Sequence, residues 1–255
     1  MPGDPGMLRF AEACIKDGAI PTRQRRFVSL QGPPMSGFAT ARQKMVDGQV
    51  RTNDVTDHRI LDAMLALPRE RFVPDDKQAL AYLDLDLDVA EGGATKRFLI
   101  KPMLTAKLLQ AAEIAATDRV LVVGCASGYA AALVAMLGAS VTGTESDSLL
   151  VQKGKAVLAA LGESVTLKVG DAADGDPADA PYDVIILNGA TEIVPEKLYQ
   201  QLRDGGGRLV GVFATTTPSR AVIATRWHNE VGDRSLFDAA APTLPGLQRV
   251  PQFVF

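Results

Sequence analysis

A short glycine-bearing turn, Gly124-Cys-Ala-Ser-Gly128, contains the first residues of this sequence that could do chemistry. Its two glycines can adopt backbone angles closed to other residues and let a ligand approach the main chain. Glu145 follows about 17 residues after the turn, near the spacing at which an acidic side chain meets ribose hydroxyls. Together these residues predict a site for a nucleoside-bearing cofactor.

A strand and a helix must hold this turn in place. Residues 120–123 are a short apolar run, as a strand covered on both faces of a parallel sheet requires, and residues 129–137 have helical composition. Free N–H groups at the start of that helix would face a bound ligand. Because Ala126 stands where many such loops have a middle glycine, an ordinary tight turn is the alternative.

Further strands and helices alternate after the turn. The sequence predicts helices over 147–161 and 195–203, and five strands over 140–145, 165–169, 183–187, 208–213 and 221–227. This alternation predicts an α/β fold, a mostly parallel sheet with helices on both faces. A seventh strand is expected over 248–255, after a loop over 232–246, so that the sheet ends in an antiparallel hairpin.

The part of the chain before residue 103 divides into two segments. Pro and Gly punctuate residues 1–37, which are expected to be a disordered extension. Residues 38–102 are expected to form a helical lid over the substrate, with helices over 38–50 and 60–67, the second capped by Thr56 or Asp57. Alternating residues 83–89 predict a half-exposed strand, and Pro102 suits the first turn of a helix. Residues 103–255 would form the cofactor-binding domain.

Composition excludes several classes of protein. The sequence has no apolar run of about 18 residues and no secretory signal, so we expect a cytoplasmic protein that does not bind membranes. Two cysteines and two histidines predict neither a structural disulfide nor a zinc site. Cys125 is better explained as a small side chain in a tight loop than as a nucleophile.

The charge distribution is uneven. The whole chain has a net charge of −3, but residues 1–44 contain seven basic and three acidic residues, which leaves the remainder at −7. An acidic body predicts no nucleic-acid binding.

A parallel sheet with an antiparallel end is typical of Rossmann-like class I S-adenosylmethionine-dependent methyltransferases. Several motifs then resemble one family, the protein-L-isoaspartate O-methyltransferases, over about residues 40–213. The matching stretches are Met45-Val46 with Gln49-Val50, Pro68-Arg-Glu-Arg-Phe-Val-Pro74, Ala81-Tyr82, Pro102-Met103, Asp118-Arg-Val-Leu121, Ser127-Gly-Tyr129, Ala180-Pro-Tyr-Asp183, Val194-Pro195 and residues 201–209. The resemblance implies methyl transfer to the carboxylate of isoaspartyl residues in damaged proteins or peptides.

The resemblance also implies roles for single residues. The main chain of Gly124, Cys125, Ala126, Ser127 and Gly128 would hold the methionine part of S-adenosyl-L-methionine. Glu145 would bind the ribose, and Asp171 with Ala172 the adenine edge. Asn188, at the end of a strand, would orient the acceptor or cap the strand.

The chain departs from the family where a serine is expected. That position is Ile100, which cannot hydrogen-bond the acceptor carboxylate, and Thr95 or Lys101 are the candidates to replace it. Val122 also replaces an acidic residue before the turn. These departures leave three alternatives open: a methyltransferase of another acceptor, a non-enzymatic protein-binding descendant, or a nicotinamide dehydrogenase.

Overall fold

The computed structural model describes residues 36–90 and 95–250. Nine strands lie within these ranges. A small antiparallel pair consists of β1 (Leu87–Asp88) and β2 (Phe98–Leu99). The main sheet consists of β3 (Arg119–Val123), β4 (Ser140–Glu145), β5 (Thr166–Val169), β6 (Val184–Thr191), β7 (Gly207–Phe213), β8 (Arg220–Trp227) and β9 (Glu230–Asp238).

The main sheet has the order β5-β4-β3-β6-β7-β8-β9. The first five strands in this order are parallel, and β8 and β9 are antiparallel to their neighbours. The predicted fold class, a mostly parallel seven-stranded sheet with an antiparallel C-terminal hairpin, is therefore confirmed. The turn after β3 lies at the centre of the carboxyl edge of the sheet, where open α/β sheets bind ligands.

Six α-helices surround this sheet within the described ranges. They are α1 (Ser36–Met45), α2 (His58–Ala66), α3 (Pro102–Ala111), α4 (Tyr129–Met136), α5 (Ser148–Leu161) and α6 (Glu196–Gln200). A π-helical turn, Val46–Val50, and a 3-10 turn, Arg51–Asn53, extend α1. No helix in the described part of the chain has the length and apolar character needed to cross a membrane.

Local sequence explains where two of these helices begin. The Asp57 carboxylate accepts a hydrogen bond from the Arg59 N–H at the start of α2, and the Asp147 carboxylate accepts from Leu149 and Leu150 at the start of α5. Such caps satisfy backbone donors that have no partner inside the helix, and each contributes about 1 kcal/mol. Of the two caps considered for α2, Asp57 is confirmed.

The core lies on both faces of the sheet. Along β3, Val120 and Val122 belong to one buried apolar cluster, while Leu121 and Val123 belong to another. Alternate residues of a strand point to opposite faces, so this division places apolar packing on each side. The continuous apolar run predicted this arrangement.

The second strand of the C-terminal hairpin is not the predicted one. β8 pairs with β9 (Glu230–Asp238), so the prediction of a loop over 232–246 is wrong for its first part. His228 and Asn229, both at positive φ (52° and 63°), make the two-residue connection. Residues 248–250 are not in a strand, and residues 251–255 lie outside the described residues. The strand signal is weak because β9 is an edge strand whose side chains are mostly exposed and polar.

The small strand β1 is much shorter than predicted, because only Leu87–Asp88 of residues 83–89 pair with another strand. The expectations for residues 1–35 lie outside the described residues. The boundary placed after residue 102 stays a prediction.

Candidate active site

The turn between β3 and α4 has the backbone that its glycines predicted. Gly124, Ala126 and Gly128 all have positive φ, at 66°, 50° and 95°. Ala126 adopts an angle that costs energy for a residue with a Cβ. The turn is tied to β4, since the Cys125 N–H donates to the Thr144 carbonyl at 2.9 Å and the Ala126 N–H donates to Glu145 Oε2 at 2.8 Å.

Glu145, the last residue of β4, is fully buried beside this turn. Two nitrogens of the Arg97 guanidinium donate to its two carboxylate oxygens, at 2.7 and 2.6 Å. Oε1 also accepts from the Asp147 N–H at 3.0 Å and the Ser146 hydroxyl at 3.3 Å. Arg97 itself is only 4% exposed. Removing one member of such a buried ion pair costs about 3–5 kcal/mol.

The buried carboxylate affects the neighbouring thiol. Burial, and then the negative charge of Glu145, raise the pKa of Cys125 well above its usual range, despite the opposing effect of Arg97. The thiol therefore stays protonated at neutral pH. A nucleophilic role for Cys125 would need the opposite shift.

A narrow crevice opens beside Gly124. Residues 96–98 line one side and residues 242–244 line the other, and the space between them holds about one water molecule. Leu244 packs directly onto the turn and the end of β6. A Cβ atom added to Gly189 would come within 2.8 Å of the Leu244 side chain, and one added to Gly124 would also collide with it.

Asn188, near the end of β6, is 3% exposed. Its Nδ2 donates to the Gly124 carbonyl at 2.9 Å, so the side chain ties β6 to the turn. Asn188 is therefore close to the predicted cradle, and its amide is engaged in this structure.

Asp171 and Ala172 follow β5 at the same edge of the sheet. The Gly170 N–H donates to the Glu145 carbonyl at 3.0 Å, which brings this segment beside the end of β4. Asp171 is exposed and Ala172 is buried. The structure thus brings the predicted ribose and adenine residues together with the turn.

The residues predicted to hold the acceptor do not come together beside the turn. Ile100 is 2% exposed and packs in the larger apolar cluster. Lys101 precedes α3, and its backbone N–H donates to Asp86 Oδ1 at 2.8 Å. Thr95 is exposed. Neither these three residues nor Asn188 line the crevice.

The motif Pro68-Arg-Glu-Arg-Phe-Val-Pro74 forms a buried polar cluster behind the turn. Arg69 is fully buried and donates to the carbonyls of Ala81 and Ile100, both at 2.8 Å. Its guanidinium carbon lies 4.8 Å from the centre of the Tyr129 ring. The Ser127 hydroxyl donates to the Phe72 carbonyl at 2.5 Å. The motif therefore attaches the N-terminal helices to the turn and to α4.

Glu70, which follows Arg69 in this motif, contacts a different set of residues. Its carboxylate accepts from the Tyr82 hydroxyl and lies 3.6 Å from the guanidinium of Arg42 on α1. Burial and then Glu70 raise the pKa of Tyr82, so this phenol stays protonated.

Sequence reasoning missed two residues that shape the crevice, Arg97 and Leu244. Arg97 lies 48 residues before Glu145, and no local pattern pairs the two. Leu244 is an apolar residue in a Pro-rich stretch with no periodicity. The signal available for Arg97 was a cation close to Pro102, which the sequence alone cannot connect to the end of β4.

The glycine turn at the carboxyl edge, the acid ending the second central strand and the antiparallel end of the sheet together define the Rossmann-like fold of methyltransferases. A solved protein-L-isoaspartate O-methyltransferase superposes with a TM-score of 0.70 at 25% identity, covering 81% of this chain and 67% of that chain. A Plasmodium falciparum structure, in complex with S-adenosyl-L-homocysteine, superposes with a TM-score of 0.64 at 16% identity, covering 81% of this chain and 97% of that one. This second likeness concerns the fold alone.

The family model named protein-L-isoaspartate(D-aspartate) O-methyltransferase matches residues 40–228. The enzyme of that name from Methylorubrum extorquens is 37% identical over 187 residues, which are 73% of this chain and 80% of the relative. One from Anaeromyxobacter is 39% identical over 168 residues, 66% of this chain and 68% of the relative. The chain belongs to the protein-L-isoaspartate O-methyltransferase family, which confirms the resemblance of its motifs.

The residues have the chemistry that an adenosyl cofactor needs, but their present arrangement does not admit one. The turn offers a main-chain cradle and Glu145 offers a carboxylate. However, Arg97 occupies both oxygens of that carboxylate, and Leu244 covers the cradle at Gly124. S-adenosylmethionine does not fit this conformation of the crevice.

Proposed function

We propose that this protein transfers a methyl group from S-adenosyl-L-methionine to the carboxylate of isoaspartyl residues in proteins or peptides. The observation that carries the proposal is the position of Glu145. It is a fully buried acid at the end of β4, within hydrogen-bonding distance of the turn after β3. This is where a Rossmann-like fold places the acid that binds ribose. Membership of the family supports the choice of acceptor.

Each predicted cofactor residue keeps its proposed role in an open form of the crevice. The main chain of the turn, residues 124–128, would hold the methionine part, and Glu145 would hold the ribose hydroxyls. Asp171, exposed beside the end of β4, would approach the adenine edge, and the neighbouring Ala172 is buried. Asn188 was predicted to orient the acceptor or to cap the strand, and its bond to the Gly124 carbonyl favours the second role.

The proposed reaction needs few catalytic groups. An isoaspartyl carboxylate is already ionised at neutral pH, so no general base is required. The sulfonium of the cofactor supplies an activated methyl group when it is bound. The protein would then contribute alignment of the reacting atoms and exclusion of water, which can supply about 7–11 kcal/mol.

Family membership favours the isoaspartyl acceptor over the second candidate, methyl transfer to a different acceptor, which rests only on Ile100. The Ile100 side chain has no hydrogen-bonding group and packs in the core. Thr95 and Lys101 stay the candidates for holding the acceptor carboxylate. A cytoplasmic location, and the expectation that the protein binds neither nucleic acid nor membranes, also stay predictions.

The test is tritiated methyl transfer to an isoaspartyl peptide and to its aspartyl twin of identical sequence. We expect incorporation into the first peptide alone, blocked by added S-adenosylhomocysteine. Cofactor binding with turnover on other carboxylic acids, and none on the isoaspartyl peptide, would select the second candidate. No cofactor binding at all would leave the non-enzymatic alternative.

A further inference from the structure

The acid that would bind ribose is already occupied by a side chain of the same protein. We infer that Arg97 sets the affinity of this site for its nucleoside ligand, because ribose hydroxyls and the Arg97 guanidinium compete for Glu145. This inference rests on the proposed function, since it requires that an adenosyl ligand binds here. Two guanidinium nitrogens reach the two oxygens at 2.7 and 2.6 Å.

Glu145 has no acceptor capacity left for a ligand. A carboxylate offers about four lone-pair sites. Arg97 takes two of them, and the N–H groups of Ala126 and Asp147 take two more, at 2.8 and 3.0 Å. The Ser146 hydroxyl adds a longer contact at 3.3 Å. A ribose diol must therefore displace one of these donors before it can bind.

Arg97 is the donor that can leave with the least change to the fold. The Ala126 N–H belongs to the turn itself, and the Asp147 N–H belongs to the residue that caps α5, so neither can move without deforming those elements. The Arg97 guanidinium is at the end of a flexible side chain, next to the two-residue strand β2. Among the described residues, its side-chain hydrogen bonds go to Glu145 alone.

Leu244 closes the other half of the site. Its side chain lies against Gly124 and Gly189, where a ligand would approach the main chain. It is 4% exposed, and its backbone N–H donates to the Ala190 carbonyl at 2.9 Å. With Arg97 and Leu244 in place, the crevice has room for about one water molecule. Both residues must move for a nucleoside to enter.

The competition has a measurable consequence for affinity. A ligand that binds only the open form has an apparent Kd equal to the intrinsic Kd divided by the open fraction. If the closed form makes up about 99% of the ligand-free protein, the observed Kd is about a hundredfold weaker than that of the open form. Weakening the Arg97 contact should therefore tighten binding.

The experiment is calorimetric titration of the full chain with S-adenosylhomocysteine. We expect Arg97→Gln to bind about tenfold more tightly or better than the unchanged protein, since it frees Glu145. Arg97→Lys should fall between the two, because lysine keeps the charge and loses the two-pronged geometry. Arg220→Gln is the matched control. It also breaks an arginine–carboxylate pair, an exposed one with Asp238, and should leave the affinity unchanged.

A second measurement separates competition from a purely structural role. Without ligand, Arg97→Gln should lower the thermal midpoint of unfolding, because it leaves Glu145 buried without its cation. If Arg97 only stabilised the fold, its substitution would lower the midpoint and leave the ligand affinity equal or weaker. The inference requires that the substitution changes the two quantities in opposite directions: the ligand-free protein becomes less stable and the ligand binds more tightly.

The outcomes that overturn the inference are distinct from those that overturn the proposed function. If the unchanged protein binds S-adenosylhomocysteine and Arg97→Gln binds it no more tightly, the inference is wrong and the proposed function stands. If no variant binds the ligand, both are wrong. Should Arg97→Gln fail to fold, Arg97→Lys decides, since binding no tighter than that of the unchanged protein would exclude competition.

Discussion

Two fully or nearly buried arginines in this protein have different partners, and the difference separates a structural site from a functional one. Arg69 donates to two main-chain carbonyls and packs against the Tyr129 ring. Arg97 donates to one side chain, the Glu145 carboxylate, at the edge of the cofactor crevice. The carbonyls of Ala81 and Ile100 do not line the crevice, whereas the Glu145 carboxylate lies at a strand end beside the turn. Burial alone does not distinguish the two arginines, but the type of acceptor does.

The same contrast extends to the surrounding regions. The cluster around Arg69 and Glu70 joins three segments of the N-terminal part. Arg69 donates to two main-chain carbonyls, and Glu70 accepts from the Tyr82 hydroxyl. The edge around Glu145 is held by Arg97 and by Leu244, two side chains that stand where a ligand is expected. We interpret the first region as a fixed support and the second as the part that must rearrange.

Arg69→Met tests the support region and should have the largest effect. The change leaves the buried Ala81 carbonyl without its Arg69 donor and leaves the Ile100 carbonyl only the 3.4 Å contact from the Thr105 hydroxyl. At about 1–3 kcal/mol for each lost hydrogen bond, the free energy of unfolding should fall by about 2–6 kcal/mol. Urea denaturation measures it. Arg71→Met, in the same motif but exposed, is the control and should change stability by less than about 0.5 kcal/mol. Equal losses would show that Arg69 has no special role.

Ile100→Ser tests the boundary between the two regions. The Ile100 side chain packs in the core while its carbonyl accepts from Arg69, so the change should reduce the free energy of unfolding by about 2–5 kcal/mol. Because the side chain does not line the crevice, we expect no gain in methyl transfer to an isoaspartyl peptide. A clear gain in that assay would mean that the serine hydroxyl reaches the acceptor, and that the crevice rearranges further than Arg97 and Leu244 require.

The pH dependence of stability tests the region around Glu145, because the buried Cys125 thiol lies in the turn next to it. Burial is the main cause that raises the pKa of Cys125 in the folded protein above its ordinary value of 9.0. Above pH 9 the unfolded chain loses this proton and the folded chain keeps it. The stability that the thiol contributes is therefore fully present below pH 9 and is lost as the pH rises. The loss from this group is about 1 kcal/mol between pH 9 and pH 10.

Urea denaturation at pH 8, 9 and 10 measures this loss, and Cys125→Ala should reduce it. Tyr82 adds a similar loss only above pH 10.0, the ordinary pKa of a tyrosine, because burial raises its pKa in the folded protein too. Cys14→Ser is used as the background in both proteins, so that the other cysteine contributes nothing. An unchanged slope in Cys125→Ala would mean that the thiol is not buried as the structure has it.

Part of the site could be predicted because its signals are local. The turn after β3 needs positive φ at Gly124 and Gly128, and an apolar run needs cover on both faces, so each is visible within a few residues of sequence. Other features were missed because the local sequence carries only a weak signal for them. β9 was predicted as a loop, since an edge strand exposes polar side chains and lacks the apolar alternation of a half-buried strand.

The residue types of the candidate cofactor site, a glycine turn and a strand-end acid, were determined by the sequence, because the backbone angles and the spacing of β-strands follow from local chemistry. Only the tertiary structure decided which groups fill that site. Arg97 meets Glu145 across 48 residues, and Leu244 reaches Gly124 from a stretch beyond the last strand. The energy of such contacts depends on burial and on exact distance, and both arise only when distant segments of the chain pack together.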